Sequence, residues 1–409
     1  MRIAPRSLWF TVLLGFFAAL PALSIDLSAP TLVELPSALA TTATTAGLTL
    51  SLFMVGFALG QLAGGRLSDR RGRRPVLIAA LAVYGLSGAA CAFAWSGPIL
   101  ASARLVQGAS AGACAVLAFA MVQDLFQGEA ARLRRSYVTL ILGILPMLAP
   151  AMGAGLDAAL GWRSVHAVLA VAGLVLFGVA VMAVGESRQH DRSDPFLPAR
   201  IPARLREDRR FVAVSLVNAL SYGTLFAYIA AAPVVVMGEL KQGPAVYAGV
   251  FACTAFALSA GALSSAQLGK RRLSASALAG WGIMLQAVSM LALALHCHGG
   301  RYSPGLILLF LAAGSFARGL AAPNLNHLAV GDRHRDAGLA SAAFGVVQLL
   351  GGAASSAAVA TLLPHFGMMA TAGLMAALAS AAALLWLSLL RRAKEIGGSS
   401  VESTPSAGN

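Results

Sequence analysis

The chain has 409 residues, of which 58% are apolar and only 11% charged, and its mean hydropathy is +0.77. A soluble protein carries about 25% charged residues, so this composition argues against a water-soluble enzyme and excludes a disordered chain. Thirty basic against 16 acidic residues give a net charge of +14; on a soluble chain that excess suggests nucleic acid, whereas on a membrane chain it reports loop topology.

A membrane helix needs about 20 mostly apolar residues. Twelve such runs are predicted, at 8–29, 44–65, 75–95, 98–121, 136–157, 164–184, 211–236, 244–266, 274–295, 304–325, 338–361 and 367–390. The first follows Arg2 and Arg6. Its apolar run over 8–20 and the small residues at 22–24 imitate a signal peptide. Cleavage there would leave eleven spans and remove a segment that has a counterpart in the second half. Asp26 is an ionisable group in this otherwise apolar span. Such a carboxyl faces a cavity or pairs with a base, and is a candidate proton carrier. The alternative is that span 1 ends near Ser24 and leaves Asp26 at the interface.

Between spans 2 and 3 stands a turn, 65–75, with Gly65, Leu67, Asp69, Arg70, Gly72, Arg73 and Arg74. Its glycines allow sharp backbone, and Asp69 can accept charge-assisted hydrogen bonds from the surrounding arginines. A plain basic loop would explain the arginines, but not the interposed acid or the glycine spacing. Span 4 carries Arg104, followed by Gln107 and Gly108. An arginine at membrane depth stays charged and needs a partner or water, so we expect Arg104 to stabilise ionised Asp26, directly or through Gln107. Snorkelling to an interface is the alternative. Asp124 closes span 4, as a functional acid or a cytoplasmic helix cap. Span 5 contains Gly143, Pro146, Pro150, Gly153 and Gly155, and proline removes a helix hydrogen bond and kinks a span.

The connection 186–210 is polar, arginine-rich and carries Pro195, Pro198 and Pro202. It divides the chain into an N-terminal six-helix bundle (1–185), a cytoplasmic linker (186–210), a C-terminal six-helix bundle (211–392) and a disordered cytoplasmic tail (393–409). In the second bundle Asn218, Tyr222, Tyr228 and Gln348 are candidate cavity-lining residues. Arg318 is either a counterpart of Arg104 or an anchor at the cytoplasmic end. The halves look like weak repeats: Phe57-Ala58-Leu59 against Phe256-Ala257-Leu258, Ala29-Pro30 against Ala232-Pro233, and Ala103-Arg104 against Ala317-Arg318. Two parallel halves of six spans, with a site between them, are an arrangement of secondary transporters. The stretch His296-Cys297-His298 is either a loop or part of a metal site, which would need further ligands. No metal set, P-loop or activated nucleophile stands out.

With twelve spans, 25 of the 30 basic residues fall on one side. Arg163, Lys241 and Arg301 fall on the other, and Arg104 and Arg318 within spans. This positive-inside bias places both termini in the cytoplasm and accounts for the charge without nucleic acid.

The turn 65–75 resembles the cytoplasmic motif of the major facilitator superfamily, glycine-x-leucine-x-aspartate-arginine-x-glycine-arginine-arginine. Gly65, Leu67, Asp69, Arg70, Gly72, Arg73 and Arg74 all match. In that family the motif is implied to latch the two halves and release them during the cycle. The stretch from Asp26 to Pro30 resembles the aspartate-x-x-x-proline signature of the bicyclomycin/chloramphenicol-resistance drug antiporters, whose aspartate is implied in substrate recognition and proton coupling. A second acid found two turns earlier in a related exporter type is absent here, where Ala18 stands. Arg104, Gln107 and Gly108 resemble the family's arginine-x-x-glutamine-glycine motif, implied in proton coupling. Pro150 and Gly153 resemble the antiporter motif glycine-proline-x-x-glycine-glycine, with Ala149 and Ala154 replacing two glycines.

The expected fold is therefore an all-α polytopic membrane protein, with twelve helices in two pseudo-symmetric six-helix bundles. The resemblance implies a secondary transporter rather than an enzyme, working as a monomer in a bacterial inner membrane. It would export a drug-like amphipathic molecule in exchange for protons, with chloramphenicol or florfenicol as the expected substrate. Export of bicyclomycin, sulfonamides or several drugs, or of an endogenous metabolite or sugar, is the alternative. The proton gradient would supply energy, with no organic cofactor, metal or nucleic acid.

Overall fold

The computed structural model describes residues 7–187, 205, 207–299, 303–331 and 337–399. Long helices dominate: α1 (Leu8–Ser28), α2 (Ala43–Arg71), α3 (Arg73–Ala92), α4 (Gly97–Leu125), α5 (Gly128–Leu160) and α6 (Trp162–Ala183) precede the linker. After it come α7 (Arg209–Pro233), α8 (Pro244–Lys270), α9 (Ala275–His298) and α10 (Pro304–Val330). The final helical stretch, Ala337–Ser399, breaks at Gly367, where φ is 62° and ψ is −158°. It is therefore two spans, α11 (337–366) and α12 (368–399), which makes twelve among the described residues. Residues 393–399, expected in a disordered tail, instead continue α12; the rest of the tail and most of the linker lie outside the described residues.

Local chemistry sets several helix starts. Ser7, Thr42 and Ser274 accept from Phe10 N, Thr45 N and Ala277 N at 3.1, 3.1 and 3.2 Å, each satisfying a backbone donor left over by the first turn. Asp208 does the same for Phe211 N at 3.0 Å.

Packing is made by small residues. Where α2 crosses α4, Gly56 lies against the carbonyl of Leu105 and Gly108 against that of Phe53. The same device recurs between α8 and α10, where Gly261 meets Phe316 and Gly319 meets Leu258. Lipid offers no hydrophobic drive between helices, so close backbone approach and dispersion supply the association. The outward faces carry Leu86, Val175, Leu263 and Leu384, all exposed, as suits a surface solvated by hydrocarbon.

The first six helices pack mainly on one another, as do the last six. The halves meet along α2 and α11, where Gly47 touches Ala360 and Gly352 lies against Met54 and Tyr222. They also meet along α5 and α8, and where the 3-10 turn Pro30–Val33 touches the π-helical turn Val234–Glu239.

Candidate functional site

The α1 helix does not stop at Ser24; it runs through Asp26 to Ser28 and continues into Pro30–Val33. Asp26 is thus inside the protein, only 5% exposed, rather than interfacial. No ion pair or hydrogen bond to a described residue holds its carboxyl.

Arg104 is buried, at 1% exposure, so it does not snorkel. The expected Arg104–Asp26 pair is not made. Arg104 instead donates from Nη1 to Gln107 Oε1 at 2.9 Å, and from Nη2 to the Ser24 carbonyl at 3.1 Å and Ser28 Oγ at 3.0 Å. Its guanidinium also sits 4.3 Å from the Phe53 ring centroid. The reason is helical phase. At about 100° per residue, Ser24 and Ser28 share one face of α1, and Asp26, midway between them, points to the other. Ser24 is further held by Tyr84, at 2.6 Å between hydroxyls.

Asp26 lies on the face of α1 away from Arg104, close enough to Tyr222 and Tyr228 on α7 and Tyr247 on α8 to act on them electrostatically. Tyr228 Oη pairs with Thr254 Oγ1 at 3.1 Å, and its ring stacks on Phe251 with centroids 6.3 Å apart. The antiporter-like stretch of α5 stands beside this point. Gly153 lies against the carbonyl of Leu27, the neighbour of Asp26, and Pro150 is buried. The α5 helix is continuous through Pro146 and Pro150.

In the second half, Asn218, Tyr222, Arg318 and Gln348 come together. Arg318 Nη1 donates to Asn218 Oδ1 at 2.8 Å and Ser221 Oγ at 3.3 Å, Asn218 Nδ2 donates to Gln348 Oε1 at 2.8 Å, and Arg318 lies 5.5 Å from the Tyr222 ring centroid. Gln286 joins through Ser221. Tyr228 and Arg318 line one small cavity with Thr224, Gln286 and Ser315. Arg318 is neither the depth equivalent of Arg104 nor an end anchor. It lies 14 residues into α10 where Arg104 lies seven into α4, about 10 Å deeper and about 18 Å from the far end of α10 at 1.5 Å per residue.

At the basic end, Arg73 gathers the turn. It pairs with Asp69 one helical turn back, donates from Nε to Asp124 Oδ2 at 2.9 Å, and reaches Ser68 Oγ at 2.7 Å. Asp124 is therefore an ion-pair partner of Arg73 at this end of α4. Gly65 accepts from Ser68 Oγ through its carbonyl at 2.8 Å, and Arg70 lies on the exposed flank. Gly72 has φ 96°, a region L side chains rarely adopt; a Cβ there would also strike the Glu186 carboxylate. That carboxylate accepts from Arg73 N at 2.9 Å and Arg74 N at 3.1 Å, capping the start of α3. Arg74 returns to the end of α6, donating to the carbonyls of Val184 and Val181, each at 2.8 Å.

Sequence reasoning missed Ser24, Ser28, Ser221, Gln286 and Glu186. The i, i+4 spacing of the two serines on an apolar helix was a legible signal; the others show only in three dimensions. No group of three or more His, Cys, Asp or Glu among the described residues is arranged to hold a metal, and His296 accepts from Ser303 N at 3.2 Å.

Two gathered halves, a buried carboxyl in the first and a latch-like turn at one end define a multi-pass membrane transporter. The Major Facilitator Superfamily model matches residues 10–356, and the chain belongs to that family. It is 30% identical over 249 residues to a chloramphenicol resistance protein of Pseudomonas aeruginosa, covering 60% of this chain and 59% of that one. It is 25% identical over 233 residues to a bicyclomycin resistance protein homolog of Haemophilus influenzae, covering 56% and 58%. To the multidrug resistance protein MdtL of Salmonella heidelberg it is 26% identical over 303 residues, covering 74% and 75%. The matches thus span about three fifths of the first two relatives' lengths. In fold it is similar to a D-xylose-proton symporter, with TM-score 0.74 and 18% identity over 92% of this chain and 96% of that one. It is also similar to a bacterial homolog of the human lysosomal transporter Spinster, with TM-score 0.76 and 15% identity over 95% and 98%.

Proposed function

We propose that the protein exports drug-like amphipathic molecules from a bacterial cell in exchange for protons, as a monomer in the inner membrane. Both termini and the Arg73 turn then face the cytoplasm, as the distribution of basic residues favours. The observation that carries the reading is Asp26, a buried carboxyl with no ion-pair or hydrogen-bond partner among the described residues, on the face of α1 away from Arg104. A charge with no counter-ion at that depth is expensive, so the empty site favours a proton. A drug or water entering the seam supplies polar partners and favours release. Proton and drug thereby occupy Asp26 alternately, and alternating access converts the inward proton gradient into outward drug movement. No organic cofactor takes part. A phenicol, chloramphenicol or florfenicol, is the proposed substrate, supported by the relative from Pseudomonas aeruginosa.

The test is chloramphenicol accumulation in an efflux-deficient bacterial host, alongside a susceptibility panel of other drugs. Cells making the wild type accumulate less drug, a protonophore restores accumulation, and Asp26→Asn behaves as empty vector. If collapsing the proton gradient fails to raise accumulation of any tested drug, proton-coupled export is wrong.

A further inference from the structure

The second bundle contains a cavity in two parts. The first is a chamber between α7, α8, α10 and α12, with about 690 Å³ of empty space counting its open side. Its walls are mostly apolar, among them Val236, Ile307, Leu308 and Ala372. Thr371 also lines it; this side chain is 6% exposed, and its hydroxyl has no hydrogen-bond partner. The second part, of about 250 Å³, is the polar cavity of Arg318, Thr224, Gln286 and Ser315. Tyr228, Leu311 and Met375 stand in the walls of both parts, so side chains alone separate them. Methionine is unbranched and adapts to what it packs against. An apolar chamber with a few polar groups gathered at one end has the build of a small-molecule site, for which about 300–1,000 Å³ is usual.

Arg318 gives the polar part its chemistry. It is 4% exposed and stays charged, yet no carboxylate among the described residues pairs with it. Nη1 donates to two neutral acceptors, Asn218 Oδ1 and Ser221 Oγ. Nη2 and Nε make no hydrogen bond to a described residue, and the side chain lines the cavity. Arg104, by contrast, spends both terminal nitrogens on Gln107, Ser24 and Ser28. A charge at membrane depth without a counter-ion is expensive, and a guanidinium edge with spare donors matches a carboxylate or similar oxyanion.

We infer that the second bundle binds an amphipathic anion: Arg318 takes its carboxylate or other oxyanion, and the chamber takes its apolar body. Arg318 stands seven residues beyond Leu311 in α10, about 10 Å at 1.5 Å per residue, so a molecule two aromatic rings long reaches from one part into the other. A phospholipid headgroup would have to leave the interface to meet Arg318, which lies 14 residues into α10, about 20 Å from its start. The fitting occupant is therefore a free amphiphile. The site involves neither Asp26 nor a proton, so it stands or falls apart from the proposed coupling.

Calorimetric titration of the full-length protein in phosphatidylcholine nanodiscs tests the inference, with empty nanodiscs as the baseline for partition into lipid. The probes are biphenyl-4-carboxylate and its primary amide, alike in shape and different in charge. The carboxylate is expected to bind about ten- to a hundredfold tighter than the amide, the usual worth of a hydrogen bond to a charged group. Arg318→Gln abolishes that preference. Ala372→Leu fills the chamber, whose wall it shares with none of the polar part. It weakens both probes by about tenfold or more, because their apolar contact is displaced. Equal affinity of the wild type for the two probes, or binding of neither, overturns the inference. So does an Arg318→Gln protein, folded by its melting curve, that keeps the preference. Should that variant not fold, the wild-type comparison and Ala372→Leu decide. Unchanged binding by Ala372→Leu overturns the chamber as the seat of the apolar body. Phosphatidylglycerol added to the nanodiscs, at salt high enough to screen its surface charge, leaves the affinity in place for a free amphiphile; competition by that lipid would overturn the choice of occupant.

Discussion

Arg104 and Asp26 stand on opposite sides of one helix: Arg104 bonds the Ser24–Ser28 face of α1, while Asp26, two residues from each serine, lies on the other face. The cation therefore braces α4 against α1 inside the first bundle, and the carboxyl is left out of that brace. Two charges that the sequence suggests as a pair are held apart, one bonded inside the first bundle and the other without an ion-pair or hydrogen-bond partner among the described residues.

Arg104→Lys follows from this separation. Lysine cannot fork to Gln107 and to two α1 oxygens at once. We expect about 1–3 kcal/mol of lost stability and a lower transport rate, with an unaltered pH midpoint. Thermal melting and the pH profile of drug accumulation check this together; a midpoint displaced to higher pH would restore Arg104 as the partner of Asp26.

The start of α3 depends on Glu186, which accepts from Arg73 N and Arg74 N. Glu186→Ala should lower stability by about 1–2 kcal/mol, the usual worth of a lost helix cap. Gly72→Ala should cost about 1–3 kcal/mol through its φ of 96°, with displacement of Glu186 added. Melting temperatures of the purified variants measure both, and equal melting temperatures would remove Glu186 as a cap.

Arg73 joins Asp69 on α2 to Asp124 on α4. Asp124→Asn and Arg73→Lys should therefore be non-additive, with a coupling of about 0.5–3 kcal/mol in a double-mutant cycle. The side chains of Arg73 and Asp124 are 14% and 15% exposed, so the coupling should survive moderate salt. Additive effects would mean that the pair contributes nothing.

Gly153→Val places a branched side chain where α5 meets the Leu27 carbonyl. Overpacking of that kind costs about 1–3 kcal/mol and pushes α5 away from Asp26. We expect drug efflux to fall more than tenfold, with residual protein in the membrane on immunoblot. Efflux at the wild-type rate would show that the contact tolerates separation.

Much of this protein is legible in one dimension. Twelve apolar runs mark the spans, because hydrocarbon forbids unpaired backbone, and a one-sided excess of arginine gives the sidedness proposed above, because loop charges resist crossing. The Asp69–Arg73 turn is legible because glycine spacing and an acid among bases form a local pattern. What the chain does with Asp26, Arg104 and Arg318 is not legible in the same way. Matching Ala317-Arg318 to Ala103-Arg104 by sequence gives the wrong depth, because weak repeats do not reveal how far each helix has slid. Pairing opposite charges by proximity in the chain likewise fails. Only the tertiary structure decides which face of α1 meets α4 and which is turned away from it, since a two-residue step in a helix reverses direction. It alone also brings Glu186 to Gly72 and leaves Asp26 without an ion-pair or hydrogen-bond partner among the described residues.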